Sequence, residues 1–396
     1  MCPAQLATLY RPLWRRQLRR LVQRRLGPHR RIRDRPTLVQ SVAMRKTINQ
    51  RGIVLPMVLI VGLILSASIF SFLRRSLVDS FMARNLEHVA AAETLARGGV
   101  SLATAVVFHH RFSKLMGLMN DKNPGATLAD LWAQIEDSPL ETSWGGRLEI
   151  TIEDSGSRLN LNALIPVGKT EEESQPSDEA EEFLVAFFEK VIDESQGQLA
   201  GGLYDPREMA RNLLDYMDPD DVGISGKNEN DYYADQHPAH KPANGPLLSV
   251  EEIALIEGFD ARIAGRIKPY VTVYPLLGET GINANTAPAY VLALLQHGSS
   301  GDMRLADEEI VRSILKNRQE DRIVCDQTES DSERCVSLSE VGLGTGSIFP
   351  PVELPQEAQV FHIISEATVE NVVRRVEAVI DISDRESPQL LSWRLL

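Results

Sequence analysis

The chain has 396 residues, with 42 Lys and Arg against 55 Asp and Glu, and a formal net charge of −13. The charge is unevenly spread. Residues 1–52 hold 14 of the basic residues and a single acid, Asp34, so the rest of the chain carries 26 more acids than bases. An acidic body of that kind is a poor match for nucleic acid or an anionic membrane surface, and a better one for divalent cations and basic proteins.

Residues 1–43 include a run of arginines and read in three ways: a nucleic-acid-binding arm, a cytoplasmic extension, or sequence upstream of a true start at Met44, which sets a leader of ordinary length. Arg51 and Gly52 are followed by twenty-one uncharged residues, Ile53 to Leu73, long enough as a helix to cross a hydrocarbon core of about 30 Å. Arg45, Lys46 and Arg51 precede this stretch, and Arg74 and Arg75 give way to acidic sequence. The positive-inside rule then places the N-terminus in the cytoplasm and everything after Leu73 outside it. No clear A-x-A site follows the apolar run, which argues for an anchor over a cleaved secretory signal.

Residues 74–120 continue the helix with an apolar face (Leu77, Phe81, Val78, Met82, Leu86, Val89), and Gly98-Gly99 is a candidate kink. Leu148, Ile150 and Ile152 alternate with Glu149, Thr151 and Glu153, which indicates a half-buried strand. Turn chemistry at Asp154-Ser-Gly-Ser157, then Leu159 and Leu161 alternating with Asn160 and Asn162, predicts a hairpin. Partner strands come only near the end, at Val360 to Thr368, Val372 to Ile382 and Gln389 to Trp393. The sheet is therefore split, with parts in 141–165 and 356–396, around an insert over 166–355. Within the insert, 3.6-residue periodicity predicts helices at Phe183–Ile192, Arg207–Tyr216, Val250–Glu257, Ala261–Ile267, Ala289–Leu295 and Asp307–Asn317.

Several stretches carry a resemblance. Met44-Arg-Lys-Thr-Ile-Asn-Gln-Arg-Gly52 before the apolar helix resembles the leader of type IV prepilins and type II secretion pseudopilins. Gly145-Gly-Arg-Leu-Glu-Ile-Thr-Ile-Glu-Asp-Ser-Gly-Ser-Arg-Leu-Asn-Leu-Asn-Ala163, Leu214-Asp-Tyr-Met-Asp-Pro-Asp-Asp221, Glu229-Asn-Asp-Tyr-Tyr233, Ala243-Asn-Gly-Pro-Leu-Leu-Ser249 and Ile282-Asn-Ala-Asn-Thr-Ala287 are similar, in that order, to the type II secretion minor pseudopilin K family. The resemblance implies an α+β pilin-like fold: a long N-terminal helix on an antiparallel sheet, with a large, mainly helical inserted domain. It implies cleavage by prepilin peptidase between Gly52 and Ile53, an inner-membrane anchor with a periplasmic body, and a non-enzymatic tip subunit of the pseudopilus, in complex with minor pseudopilins I and J and contacting other secretion components. Met57 stands at mature position +5, where most pilin-like subunits carry the Glu that pairs with a neighbour's amine. A subunit at the very tip has no neighbour above it to pair.

The densest acidic cluster, Asp218, Asp220, Asp221, Glu229 and Asp231, has an EF-hand-like spacing with Gly223 at the sixth position, though Val222 stands where a fifth-position oxygen is wanted. It reads as a solvated acidic loop or as a calcium site, and the resemblance implies calcium. Leu255 to Ile267 looks like a helix-hairpin-helix element, but Asp260 replaces the second glycine and would repel a phosphate. A membrane-tethered nucleic-acid-binding protein is thus the alternative function, and a basic patch on the insert would favour it. Cys325 and Cys335 flank a polar loop with no further ligand at metal spacing and read as a disulfide on the exported side. His109-His110 is a weak metal pair on an amphipathic helix. No H-E-x-x-H, G-x-S-x-G or Walker A pattern supports an enzyme.

Overall fold

The computed structural model describes residues 54–115, 126–128, 130–135, 139–166, 175–195, 204–277, 281–299, 302–325, 334–343, 347–349, 358–384 and 387–396. The chain divides into a stretch ending at Leu73 and a compact body from Arg74 to Leu396. Helix α1 is one unbroken element, Val54–Leu115. Through Leu73 every one of its side chains is exposed, and it is long and apolar enough to cross a membrane.

Within the body, α1 lies on a sheet. Ala92, Ala96, Val100, Ala103 and Val107 recur at helical spacing and are buried. Strands β1 (Leu140–Glu141) and β2 (Gly146–Asp154) open the sheet on which they pack. After β2 the sheet is not resumed until Val360. The helix runs without interruption through Gly98-Gly99, and of the two only Gly99 serves packing. A Cβ on Gly99 would run into Ser365 Oγ and lie 2.9 Å from Leu148 Cδ1, whereas one on Gly98 meets nothing. Gly99 is what lets the helix backbone approach the sheet.

The predicted hairpin after β2 does not form. The Asp154 carboxylate accepts from Gly156 N–H at 2.8 Å and turns the chain. Leu159–Asn160 (β3) then leaves the sheet to pair in parallel with a short strand of the insert, Leu159 opposite Val271. Leu159, Leu161 and Leu164 are buried in the insert's core, so their alternation reflects a second hydrophobic layer rather than a return strand. Helix α2 (Asp178–Glu194), capped by Ser177, supplies Phe183, Phe187 and Phe188 to that core. Each such ring contributes about 1.5–3 kcal/mol by burial. Helix α3 (Pro206–Met217) starts on Asp205, whose carboxylate accepts from Arg207 and Glu208 N–H, and packs on α2.

Next come α4 (Asn230–Ala234), a 3-10 turn at Val250–Leu255 where a longer helix is predicted, α5 (Ala261–Ile267) and β4 (Val271–Thr272). Then follow α6, shortened to Ala289–Leu292, β5 (Gln296–Ser299), β6 (Asp302–Leu305) and α7 (Glu308–Gln319). Strands β7 (Ile323–Val324) and β8 (Cys335–Val336) pair in parallel, and β9 (Ser347–Phe349) joins β5. Two asparagines act as backbone substitutes inside this insert. Asn162 donates to Leu247 and Val273 carbonyls and accepts from Leu247 N–H; Asn285 donates to Val324 C=O and accepts from its N–H.

The chain re-enters the first sheet at β10 (Val360–Val369), which pairs with β2 and with β11 (Val372–Asp381); β12 (Gln389–Leu395) forms the far edge. The order is β1-β2-β10-β11-β12, all antiparallel. Its inner face (Leu148, Ile150, Ile152, Phe361, Ile363, Ala367, Val376, Ala378, Ile380) meets α1.

The two adjacent glycines should respond oppositely to alanine. Gly98→Ala is expected to stabilise by about 0.5–1 kcal/mol through helix propensity alone. Gly99→Ala is expected to destabilise by about 1–3 kcal/mol through overpacking. Ser365→Ala should recover part of that loss. Denaturant unfolding of the full chain in detergent checks the signs.

Candidate functional site

Helix α3 ends at Met217, and the chain then passes through Asp218 into a loop that closes on itself. Val222 and Asn228 form a bridge, Gly223 N–H donates to Lys227 C=O at 2.9 Å, and Gly226 takes a positive φ at the turn. The loop therefore folds as a small hairpin and does not wrap in the EF-hand manner. Asp215, one helical turn before Asp218, accepts from Ile224 N–H at 2.9 Å. A Cβ on Gly223 would sit 2.5 Å from Asp215 Oδ2, so this glycine makes room for the carboxylate.

The geometry gathers Asp215, Asp218 and Glu229, each offering an oxygen within 4.8 Å of the others. All three are buried, Asp218 to 1% and Glu229 to 8% exposure. Asp218 Oδ1 and both oxygens of Glu229 have no hydrogen-bond partner among the described residues. Burial, then repulsion from Asp220 and Asp215, pushes Asp218 up to about 7. Burial, then repulsion led by Asp218 and Asp215, pushes Glu229 up to about 8. Asp215 is also raised, chiefly by burial, against the pull of the Ile224 N–H. Unpaired buried carboxylates that converge are costly alone and fit a hard, oxygen-preferring divalent cation.

Of the residues singled out in the sequence, Asp218 and Glu229 are thus brought together and three are not. Asp220 accepts from Val222 N–H and from Gln175, Asp221 accepts from Asn230 and Asn244, and Asp231 is exposed. Asp215 stands outside the acidic cluster that charge density picks out because it belongs to the preceding helix. Its signal was the three-residue step to Asp218 across the helix end.

The other candidates separate from this site. Asp260 caps α5, accepting from Arg262 and Ile263 N–H, so the groups a phosphate would need are already satisfied by a carboxylate. Cys325 and Cys335 are joined by a disulfide with Cα atoms 5.7 Å apart. His110 is buried with Nε2 3.8 Å from Asp130 Oδ1, while His109 is exposed, so the two rings face different surroundings. Gly52 and Ile53 lie outside the described residues.

The fold defines the class: α+β, with a long apolar N-terminal helix, an antiparallel sheet and a helical insert. The family described as type II secretion system (T2SS), protein K, matches residues 157–276. The chain is 28% identical over 250 residues to type II secretion system protein K of Pseudomonas aeruginosa, covering 62% of this chain and 68% of that one. It is 28% identical over 272 residues to the protein of the same name from Klebsiella pneumoniae, covering 68% and 75%. Its fold is similar to a chain in the crystal structure of the GspK–GspI–GspJ complex from enterotoxigenic Escherichia coli, with a TM-score of 0.53 and 18% identity over 80% of this chain and 99% of that chain. By these comparisons the chain is similar to the type II secretion system protein K family.

The raised acids set a pH dependence with a definite sign. The folded chain keeps protons on Asp218 and Glu229 that the unfolded chain releases near pH 4. That contribution is fully present below about pH 4 and is lost as the pH rises through about 7 and 8. In chelator, stability should therefore fall between pH 5 and pH 8, and Asp218→Asn with Glu229→Gln should flatten this slope. Denaturant midpoints across that range check it.

Proposed function

We propose that this chain is the K-type minor pseudopilin at the tip of a type II secretion pseudopilus, where it joins GspI- and GspJ-type subunits and takes part in protein export. Its leader is removed by prepilin peptidase between Gly52 and Ile53. The apolar start of α1 holds it in the inner membrane, with the N-terminus cytoplasmic and the body periplasmic. Its role is structural rather than enzymatic.

One observation carries the reading. The sheet is interrupted between Asp154 and Val360 by an insert with its own hydrophobic core. A body of that bulk would clash if repeated along a filament, and a tip position avoids the repeat. Met57 agrees, since the terminal subunit has no neighbour above it whose amine needs a carboxylate. The related fold belongs to a complex of GspK with GspI and GspJ, which supports the same partners here.

Calcium is the ion we assign to Asp215, Asp218 and Glu229. The ligands are all oxygens, and their spacing is set by a loop rather than a tight octahedral cage, which favours Ca²⁺ over Mg²⁺. Bound calcium supplies the positive charge that the three carboxylates lack and stabilises the insert by mass action.

Affinity purification of the full chain from detergent-solubilised membranes should recover the I and J subunits, with the chain itself beginning at Ile53 by mass. Recovery without either subunit would overturn the tip assignment. Calcium should raise the melting temperature of the full chain in detergent, magnesium much less. Asp218→Asn with Glu229→Gln should abolish the rise. Identical melting curves in calcium and in chelator would remove the ion from the assignment.

A further inference from the structure

Asn244 lies outside the acidic cluster in sequence, yet it touches both sides of Asp218. Its backbone N–H donates to Tyr216 C=O at 3.1 Å, one residue beyond Asp215. Its side-chain Nδ2 donates to Asp220 C=O at 2.7 Å and to Asp221 Oδ1 at 3.3 Å. The chain on either side of Asp218 is therefore held by one residue. Asp221 extends the link, because its carbonyl accepts from Glu229 N–H at 3.3 Å. Asn244 thus connects, through short steps, to the positions of all three acids.

The residue type suits this task in two respects. Asn244 has φ of 42°, in the left-handed region that Asn and Gly tolerate and bulkier residues resist. A carboxamide also brings two donor hydrogens on one nitrogen, which a carboxylate of the same shape lacks. Asp at this position would set a carboxylate, with no donor, against the Asp221 carboxylate and the Asp220 carbonyl. Three carboxylates buried together repel one another, so without an external brace the loop would relieve the strain by moving Asp218 and Glu229 apart. Held at 216, 220 and 221, the segment carrying Asp218 cannot swing away without breaking these bonds.

We infer that Asn244 is a positioning residue for the divalent-cation site, a clamp that keeps Asp215, Asp218 and Glu229 within reach of one ion. This rests on the assignment of a cation to that triad. The clamp acts on affinity rather than on the fold of the insert, since Asn244 itself is half-buried and contributes no apolar side chain to the core.

The test uses the full chain in detergent, calcium titrations by calorimetry, and melting in chelator. Asn244→Gly keeps a backbone that accepts positive φ and deletes the two side-chain bonds. It should weaken calcium binding at least tenfold while the melting temperature in chelator changes by no more than about 3 °C. Asn244→Asp should also weaken binding, because the donors are gone; tighter binding than wild type would make the position a ligand and overturn the clamp. Unchanged affinity in Asn244→Gly overturns it as well. So does an equal loss of melting temperature with and without calcium, which would assign Asn244 to turn formation alone. A wild-type chain that gives no heat with calcium fails at the cation assignment itself, is recognised as that failure before any variant is compared, and takes the clamp with it.

Discussion

Asp154 stands where β2 ends and the insert begins, and three donors converge on its fully buried carboxylate. Gly156 N–H reaches Oδ1 at 2.8 Å, while Asn283 Nδ2 at 2.9 Å and Thr286 Oγ1 at 2.8 Å reach Oδ2. Burial raises this acid and the three donors pull it back. The first donor turns the chain out of the sheet. The other two come from a segment about 130 residues later, so a single side chain ties the exit from the sheet to the middle of the insert. Asn283 N–H adds to this junction by donating to Gly156 C=O at 2.7 Å. A buried carboxylate satisfied in this way is costly to leave partly paired, which makes the junction specific.

From that junction the insert is organised by side chains that imitate backbone. Asn162 pairs with Leu247 and Asn285 with Val324, each giving and taking one hydrogen bond as a strand neighbour would. Arg318 adds a third tie, with its guanidinium donating to the carbonyls of Ala284 and Ala287. Short loops with little regular structure are thereby held over a core built from α2 and α3. A further link runs to the sheet: Glu251 accepts from Lys268 at 2.8 Å and from Arg394 of β12 at 2.7 Å, and these contacts keep its carboxyl well below the usual range. The insert and the sheet are thus joined at an internal, buried point and at an exposed, ionic one.

The acidic triad has the opposite character. Asp154 has a donor for each of its buried oxygens, whereas Asp218 Oδ1 and both Glu229 oxygens have none among the described residues. The same molecule therefore holds one buried acid that is chemically complete and three that together need a positive charge. This contrast separates a structural carboxylate from a candidate ligand set, because desolvation is common to both and only the missing partners differ.

Much of this was legible in residue order. The apolar run after Gly52, the alternation of Leu148, Ile150 and Ile152, and the strands from Val360 onward follow from periodicity, which registers one buried face at a time. The split sheet followed from their separation along the chain, and the loop with Asp218 and Glu229 stood out by charge density. What periodicity could not register was which layer a buried residue joins: Leu159 and Leu161 alternate as a return strand would, yet they lie in the insert core. Nor could it show that Gly99 is the glycine that admits the sheet. Asp215 and Asn244 stand in stretches that residue order singles out, but their roles depend on contacts across a helix end and between two loops. The sequence by itself determined the elements and the chemistry they carry. Only the tertiary structure decided which carboxylates share a site and which are hydrogen-bonded away from it, because that depends on distances between segments whose order along the chain does not encode their approach.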